Sequence, residues 1–160
     1  MARVYIKVSA RDIRSAVQRK GVKNIIALTK NPAILKQIGE EAIRLLEPYI
    51  PEDTGNLIDK GHVVYHEKQV QLSWGTKYAS YQFNGKIYGP NFLIKKGKLA
   101  GQWRSPKNKP KYDTGRTLNY TKSTARPHWT DEVKPGGAEF EKLVAFAEPL
   151  IKKEVQKNGR

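Results

Sequence analysis

The most regular apolar spacing in the chain begins behind Asn31-Pro32. Ile34, Leu35, Ile38, Ala42, Leu45, Leu46 and Tyr49 recur at threes and fours, the interval that lines one face of an α-helix. Asn31 supplies a capping side chain and Pro32 a first helical residue that needs no N–H partner. Lys36, Glu40, Glu41 and Arg44 fall off the stripe, and Pro51 is expected to end the helix. A second stripe, Phe140, Leu143, Val144, Ala147, Leu150 and Ile151, follows the break at Pro135-Gly136-Gly137. Glu139 and Glu141 are placed in its first turn and Lys152 and Lys153 in its last, where each complements the helix dipole. Pro149 lies inside this stripe and is expected to kink the helix or detach its last turn.

Elsewhere the period drops to two. Residues 3–8, around Val4-Tyr5-Ile6-Lys7-Val8, are expected to form a short strand. A short helix from about Ala10 to Lys20 follows, with Ser9 and Asp12 as a capping-box-like start, Gly21 as a stop, and Ile13 and Val17 on one face. Residues 22–29 fit a helical turn or a strand equally well. Val63 and Tyr65 alternate with His62, Val64 and His66, a polar turn stands at Glu67-Lys68, and Val70-Gln71-Leu72-Ser73-Trp74 alternates again, predicting a β-hairpin with one buried face. Residues 78–84 are rich in aromatics and end at Gly85. The expected fold class is α+β: a small, mostly antiparallel sheet packed against two longer amphipathic helices, with a long basic insertion.

That insertion is residues 86–126. Prolines and glycines are scattered through it and no apolar period persists, so it is expected to be functional or disordered, with at most a short hairpin between Ile87-Tyr88 and Phe92-Leu93-Ile94. Composition sharpens the contrast. The 160 residues suffice for one domain with one core, and the net charge of +15 implies a polyanionic or acidic neighbour. Residues 86–126 hold eleven Lys or Arg against one acid, and residues 1–30 hold eight against one. The charge is therefore expected on two appendages, a basic N-terminal arm with a short helix (1–30) and the insertion (86–126), mounted on a neutral to acidic scaffold. Nothing at the N-terminus resembles a signal peptide, and no stretch approaches the ~20 apolar residues that cross a bilayer. The expectation is a soluble chain made in a cytoplasm, with no membrane partner.

The absence of cysteine removes thiolate chemistry, disulfides and cysteine-bound metals. His62, His66 and His128 lack an evident third ligand for a metal. Glu40 and Glu41 fall on the polar side of a helix, and Glu52 and Asp53 close a turn. No phosphate loop, nucleophile elbow or zincin helix is present. The chain is expected to have no catalytic residues, no metal and no cofactor. Two short motifs remain. Pro51-Glu52-Asp53-Thr54-Gly55-Asn56-Leu57 joins the long helix to the hairpin as a turn, and Asp113-Thr114-Gly115 echoes its triplet. Arg126-Pro127-His128-Trp129 is placed to dock the chain before the last helix.

In this order the motifs resemble the minor capsid and head–tail joining (neck) proteins of long-tailed bacteriophages. The matching residues are Pro51, Asp53, Thr54, Gly55 and Leu57, then Gly75-Thr76, Tyr78-Ala79 and Tyr81, then Pro127, His128 and Trp129, over residues 30–84 and 125–155. After Tyr81 the chain has Gln82-Phe83-Asn84-Gly85 where that family has an acidic or polar residue and then Phe-Gly, and its basic insertion is longer. The resemblance implies a virion protein at the head–tail interface, adaptor, stopper, neck-collar or tail-completion in position. It implies a homo-oligomeric ring of about six or twelve copies, by symmetry with tail or portal. Neighbouring connector, stopper or tail proteins would be its partners, and genome DNA would be met non-specifically through phosphates. Tyr78, Tyr81, Trp103, His128 and Trp129 are candidate subunit anchors. Lys95, Lys96, Lys98, Arg104, Lys107, Lys109, Lys111 and Arg116 are candidate DNA-facing residues, and Tyr88, Trp103, Tyr112 and Tyr120 are placed to stack on bases or to anchor subunits. A free-standing basic nucleic-acid-binding protein is the first alternative, and a small hydrolase or toxin using the histidines the second.

Overall fold

The computed structural model describes residues 4–8, 10–19, 31–52, 56–66, 69–76 and 78–158. The chain runs through β1 (Val4–Val8), α1 (Ala10–Arg19), α2 (Pro32–Leu46), a 3₁₀ turn (Glu47–Tyr49), α3 (Asn56–Asp59), β2 (Gly61–His66) and β3 (Gln69–Trp74). It continues through α4 (Ala79–Asn84), β4 (Lys86–Gly89), β5 (Phe92–Leu93), β6 (Trp103–Arg104), β7 (Tyr112–Thr117), a second 3₁₀ turn (Trp129–Val133) and α5 (Phe140–Asn158). The fold is mixed α+β, as the alternation of periods predicts.

The sheet of the body has three antiparallel strands in the order β1-β3-β2. Gly61, Val63 and Tyr65 pair with Trp74, Leu72 and Val70, so the apolar positions of the hairpin share a face. Val70, Leu72 and Trp74 on the central strand are buried there, while Tyr65 on the edge strand stays 40% exposed. Helix α2 lies across β2 and β3 with Ile34, Leu35, Ile38, Ala42, Leu45 and Leu46 inward. Its cap is as expected: Asn31 Oδ1 accepts from the backbone N–H of Ala33 at 3.0 Å and of Ile34 at 3.4 Å. Gly39 is where helix and sheet come closest. A Cβ there would stand 2.8 Å from Val70 Cγ1 and 3.0 Å from Val63 Cγ1, so only a residue without a side chain allows this approach. Helix α5 packs on α2 and α1 through Phe140, Leu143, Val144, Ala147 and Ile151.

Three expectations about helix ends need correction. Helix α2 stops at Leu46, not at Pro51, because Pro48 offers no N–H to continue the ladder; residues 47–49 tighten into the 3₁₀ turn. Helix α5 continues past Pro149 to Asn158, which leaves Lys152 and Lys153 in mid-helix and Lys157 in the last turn. Packing of Ala147 and Ile151 on either side of the proline holds that segment against the core. Glu139 also has a more specific role than a dipole partner. It is buried at the start of α5, accepts from the Tyr49 hydroxyl at 2.7 Å on Oε1, and has the Lys142 ammonium 2.8 Å from Oε2. The ammonium first and the hydroxyl second hold its carboxyl below the usual range, and the same hydrogen bond pushes the Tyr49 hydroxyl up.

The N-terminal segment is not an appendage where it is described. Strand β1 pairs with β3 along its length, Val4 with Trp74 to Val8 with Val70, and Ile13, Ala16 and Val17 of α1 are buried against the body. Amphipathic spacing in α1 outweighs its charge, with Arg11 exposed while Ile13, Ala16 and Val17 turn inward. The expected cap Ser9, stop Gly21, the undecided residues 22–29, the turn Glu67-Lys68 and the turn residues Asp53, Thr54 and Gly55 lie outside the described residues.

The chain leaves the body at Gly85 and returns at Leu118, whose N–H donates to the Gly85 carbonyl at 2.9 Å. Gly85 closes α4 with φ +65°, and a Cβ on it would meet Pro127 at 2.8 Å; both the left-handed backbone and the close approach call for glycine.

Candidate interaction surface on the nested hairpins

Between those two points, residues 86–117 form one hairpin inside another. Ile87-Tyr88 and Phe92-Leu93-Ile94 do not pair with each other as expected. Strand β4 pairs antiparallel with β7, with a register shift between Lys86 and Tyr88, and β5 pairs with β6 through Phe92 with Arg104 and Leu93 with Trp103. The partners lie 10 to 31 residues apart along the chain, so a local pattern search does not find them. The inner pair is fastened by Thr114, whose hydroxyl donates to the Ile87 carbonyl at 2.5 Å, and by an ion pair between Lys86 and Asp113. Asp113 Oδ1 also accepts from the N–H of Gly115, which has φ +73°. The Lys86 ammonium, and after it this N–H, hold the Asp113 carboxyl below its ordinary range, and the pairing raises Lys86 in turn.

Lys111 fastens the outer hairpin to the inner one. Its ammonium donates to the Pro90 carbonyl at 3.2 Å, to Asn91 Oδ1 at 3.0 Å and to Ser105 Oγ. Ser105 donates in turn to Asn91 Oδ1 at 2.8 Å, and Asn91 Nδ2 to the Tyr88 carbonyl at 2.8 Å. With three N–H donors and three acceptors the ammonium is fully used. Lys111 is therefore a structural rivet at an exposed position. Lys95, Lys96, Lys98, Arg104, Lys107, Lys109 and Arg116 are all exposed. Among the described residues none of these seven is ion-paired to a carboxylate.

Apolar surface is concentrated on the same structure. Of the eight exposed large hydrophobic residues among those described, five are Phe92, Leu93, Leu99, Trp103 and Tyr112. Trp103, at 68% exposure, is the most open of all. Both outer strands are exposed throughout, and the tip between them turns at Gly97 and Gly101, each with φ +86°. Where this extension meets the body, an open cleft of about 830 Å³ is lined by Leu57, Tyr78, Tyr81, Tyr88, Asn119 and Tyr120, among others. Tyr120 is partly withdrawn from water and donates its hydroxyl to the Gln82 carbonyl at 2.6 Å; burial raises its pKa.

No described protein family, curated protein or solved structure matches this chain.

The structure separates the sequence-predicted residues into groups. Pro51 is buried, Leu57 is half-buried, and both line the cleft. Tyr78 stands 67% exposed on it. Tyr81 is half-buried, stacked 4.8 Å from Tyr88. Trp129 is fully buried, edge-on to Trp74 at 6.0 Å and to Phe83 at 5.0 Å. It braces this chain's own core, so it is not a subunit anchor. The whole Arg126-Pro127-His128-Trp129 run is an internal clamp, as its docking role predicts. Arg126 lies 4.7 Å over the Tyr49 ring and pairs with Glu132 at 3.0 Å, Pro127 covers Gly85, and His128 is edge-on to Phe83 at 4.7 Å. His128 takes φ +51° to turn the chain, with its N–H donating to the Phe83 carbonyl at 2.8 Å. His62 is exposed with Nδ1 3.0 Å from the Lys60 carbonyl, and no group of three metal-ligating side chains forms among the described residues. Phe92, Leu93 and Leu99 were not singled out as candidates in the sequence. The signal available was their spacing from Trp103 across the glycines at 97 and 101.

Proposed function

We propose that this chain is a structural virion protein of the phage neck, a head–tail connector or tail-completion subunit that joins copies of itself and its neighbours around the DNA channel. The observation that carries the reading is the nested-hairpin extension. It projects exposed aromatic and aliphatic side chains among cations that pair with no carboxylate among the described residues, on a body whose polar residues serve its own packing. Exposed apolar patches rimmed by polar groups mark interaction surfaces, and an assembly subunit needs such a reaching element. The order of the Pro-x-Asp-Thr-Gly-x-Leu, Tyr-Ala-x-Tyr and Arg-Pro-His-Trp motifs supports the placement by resemblance. The positive charge has two uses in a ring, toward the phosphates of the genome or toward an acidic neighbour.

The test is assembly. The purified chain, mixed with the portal-side and tail-side proteins of its own particle, is expected to form rings visible by negative-stain microscopy and a heavier species in sedimentation. A chain that stays monomeric and joins neither neighbour contradicts the reading. The unpaired cations also favour a second reading, a free-standing nucleic-acid-binding protein. That reading expects tight binding to duplex DNA by the chain alone, with log affinity falling by about 0.9 per phosphate contact for each tenfold rise in salt.

A further inference from the structure

We infer that the outer ribbon, residues 92–104, is a docking tongue for a second and different protein, one that offers an apolar groove rimmed by carboxylates. This rests on the neck reading only for where that protein is found.

The shape of the ribbon sets the first requirement. Neighbouring residues on a strand point to opposite faces, so Phe92 and Arg104 share one face while Leu93 and Trp103 share the other. Leu99 adds an apolar residue at the tip. Each face therefore carries apolar surface open to solvent, one of them beside Arg104, and a two-stranded ribbon is marginal in water without a third element against it. A groove that embraces both faces supplies that cover, and a flat surface does not.

Charge sets the second requirement. Lys95, Lys96 and Lys98 crowd the tip, with Arg104, Lys107 and Lys109 behind them. A second copy of this chain is a poor match for them. Glu40, Glu41, Glu52, Asp131 and Glu132 are already paired with cations of their own chain, which leaves few exposed acids, Glu47 and Asp59 among them, to meet the tip of another copy. Nucleic acid matches the cations and can stack on Trp103, but it gains little from Leu93 and Leu99, since such interfaces are markedly polar. An acidic protein groove satisfies the charge and the aliphatic surface together.

The experiment uses the full chain and four probes: a short soluble peptide of repeating Glu-Leu-Glu, a polymer of glutamate alone, single-stranded DNA, and the chain itself in sedimentation. The Glu-Leu-Glu peptide is expected to bind more tightly than the glutamate polymer and the DNA, and to retain part of its affinity at high salt. Trp103→Ala is expected to weaken it by roughly tenfold or more, as truncation of an exposed aromatic anchor does. Trp103→Phe should restore most of the loss, and circular dichroism should show all variants folded. Replacing Lys95, Lys96 and Lys98 by Gln is expected to remove most of the salt dependence. The inference is overturned if the peptide does not bind, if it binds no better than the glutamate polymer, if DNA binds more tightly through Trp103, or if Trp103→Ala abolishes a self-associated species. The last two results leave ring assembly with the particle's own proteins open to its separate test, so the tongue can fail while the neck reading stands.

Discussion

Two hairpins of this chain each carry a tryptophan, and they differ in what covers them. Trp74 on the body hairpin is 0% exposed beneath α2 and against Trp129, while Trp103 on the outer ribbon is 68% exposed. The body hairpin has a partner strand on its open side and an amphipathic helix on its face, both supplied by the same chain. The outer ribbon has neither, and cations stand where a covering apolar stripe would be. Burial of the first therefore goes to stability, and the apolar surface of the second stays open to solvent. Covering an aromatic of this size is worth a few kcal/mol wherever the cover comes from.

Substitutions that act on each side of this contrast should separate the two uses. The largest effect is expected from Trp129→Ala, which opens a hole against Trp74 and Phe83; a loss of about 3–5 kcal/mol in urea unfolding is expected. Gly39→Ala should cost about 1–3 kcal/mol by the same measurement, because the added methyl meets Val70 and Val63 on two paired strands. Tyr49→Phe removes the donor to a buried carboxylate and should cost about 1–2 kcal/mol at neutral pH. This third effect depends on pH with a definite sign. Glu139 has a folded-state pKa below its ordinary value of 4.5, so its contribution is complete above that value and is lost as the pH falls through the lowered one. The gap between wild type and Tyr49→Phe should narrow over that acid range. A gap that stays constant would falsify the ionic account. The smallest effect on stability belongs to Trp103→Ala, within about 0.5 kcal/mol. A large destabilisation there would mean that the ribbon packs on its own chain and would dissolve the contrast.

Much of the body was legible because it is built from local periods. The stripe from Ile34 to Leu46, the alternation on either side of Glu67-Lys68 and the Asn31-Pro32 start each specify an element within a dozen residues. The helix ends were less so, since Pro48 and Pro149 have the same local signature and only packing decides that one stops a helix and the other does not. The extension was legible as charge but not as structure. Lys86 finds Asp113 and Phe92 finds Arg104 across intervals in which no period survives. The sequence pattern therefore marks the cations, while the rivet at Lys111 and the paired apolar residues emerge only when the strands are laid side by side. Trp129 shows the converse error. A tryptophan in a motif of polar and cyclic residues looks like a surface anchor until Phe83 and Trp74 are seen around it.

The single hydrogen bond from Leu118 to Gly85 has an evolutionary consequence. Because departure and return are neighbours, everything between them is a graft on a closed stem, and lengthening or exchanging it adds only a slowly growing closure entropy to the fold beneath. Evolution can thus exchange residues 86–117 as a unit, while the scaffold that holds the stem keeps its fold.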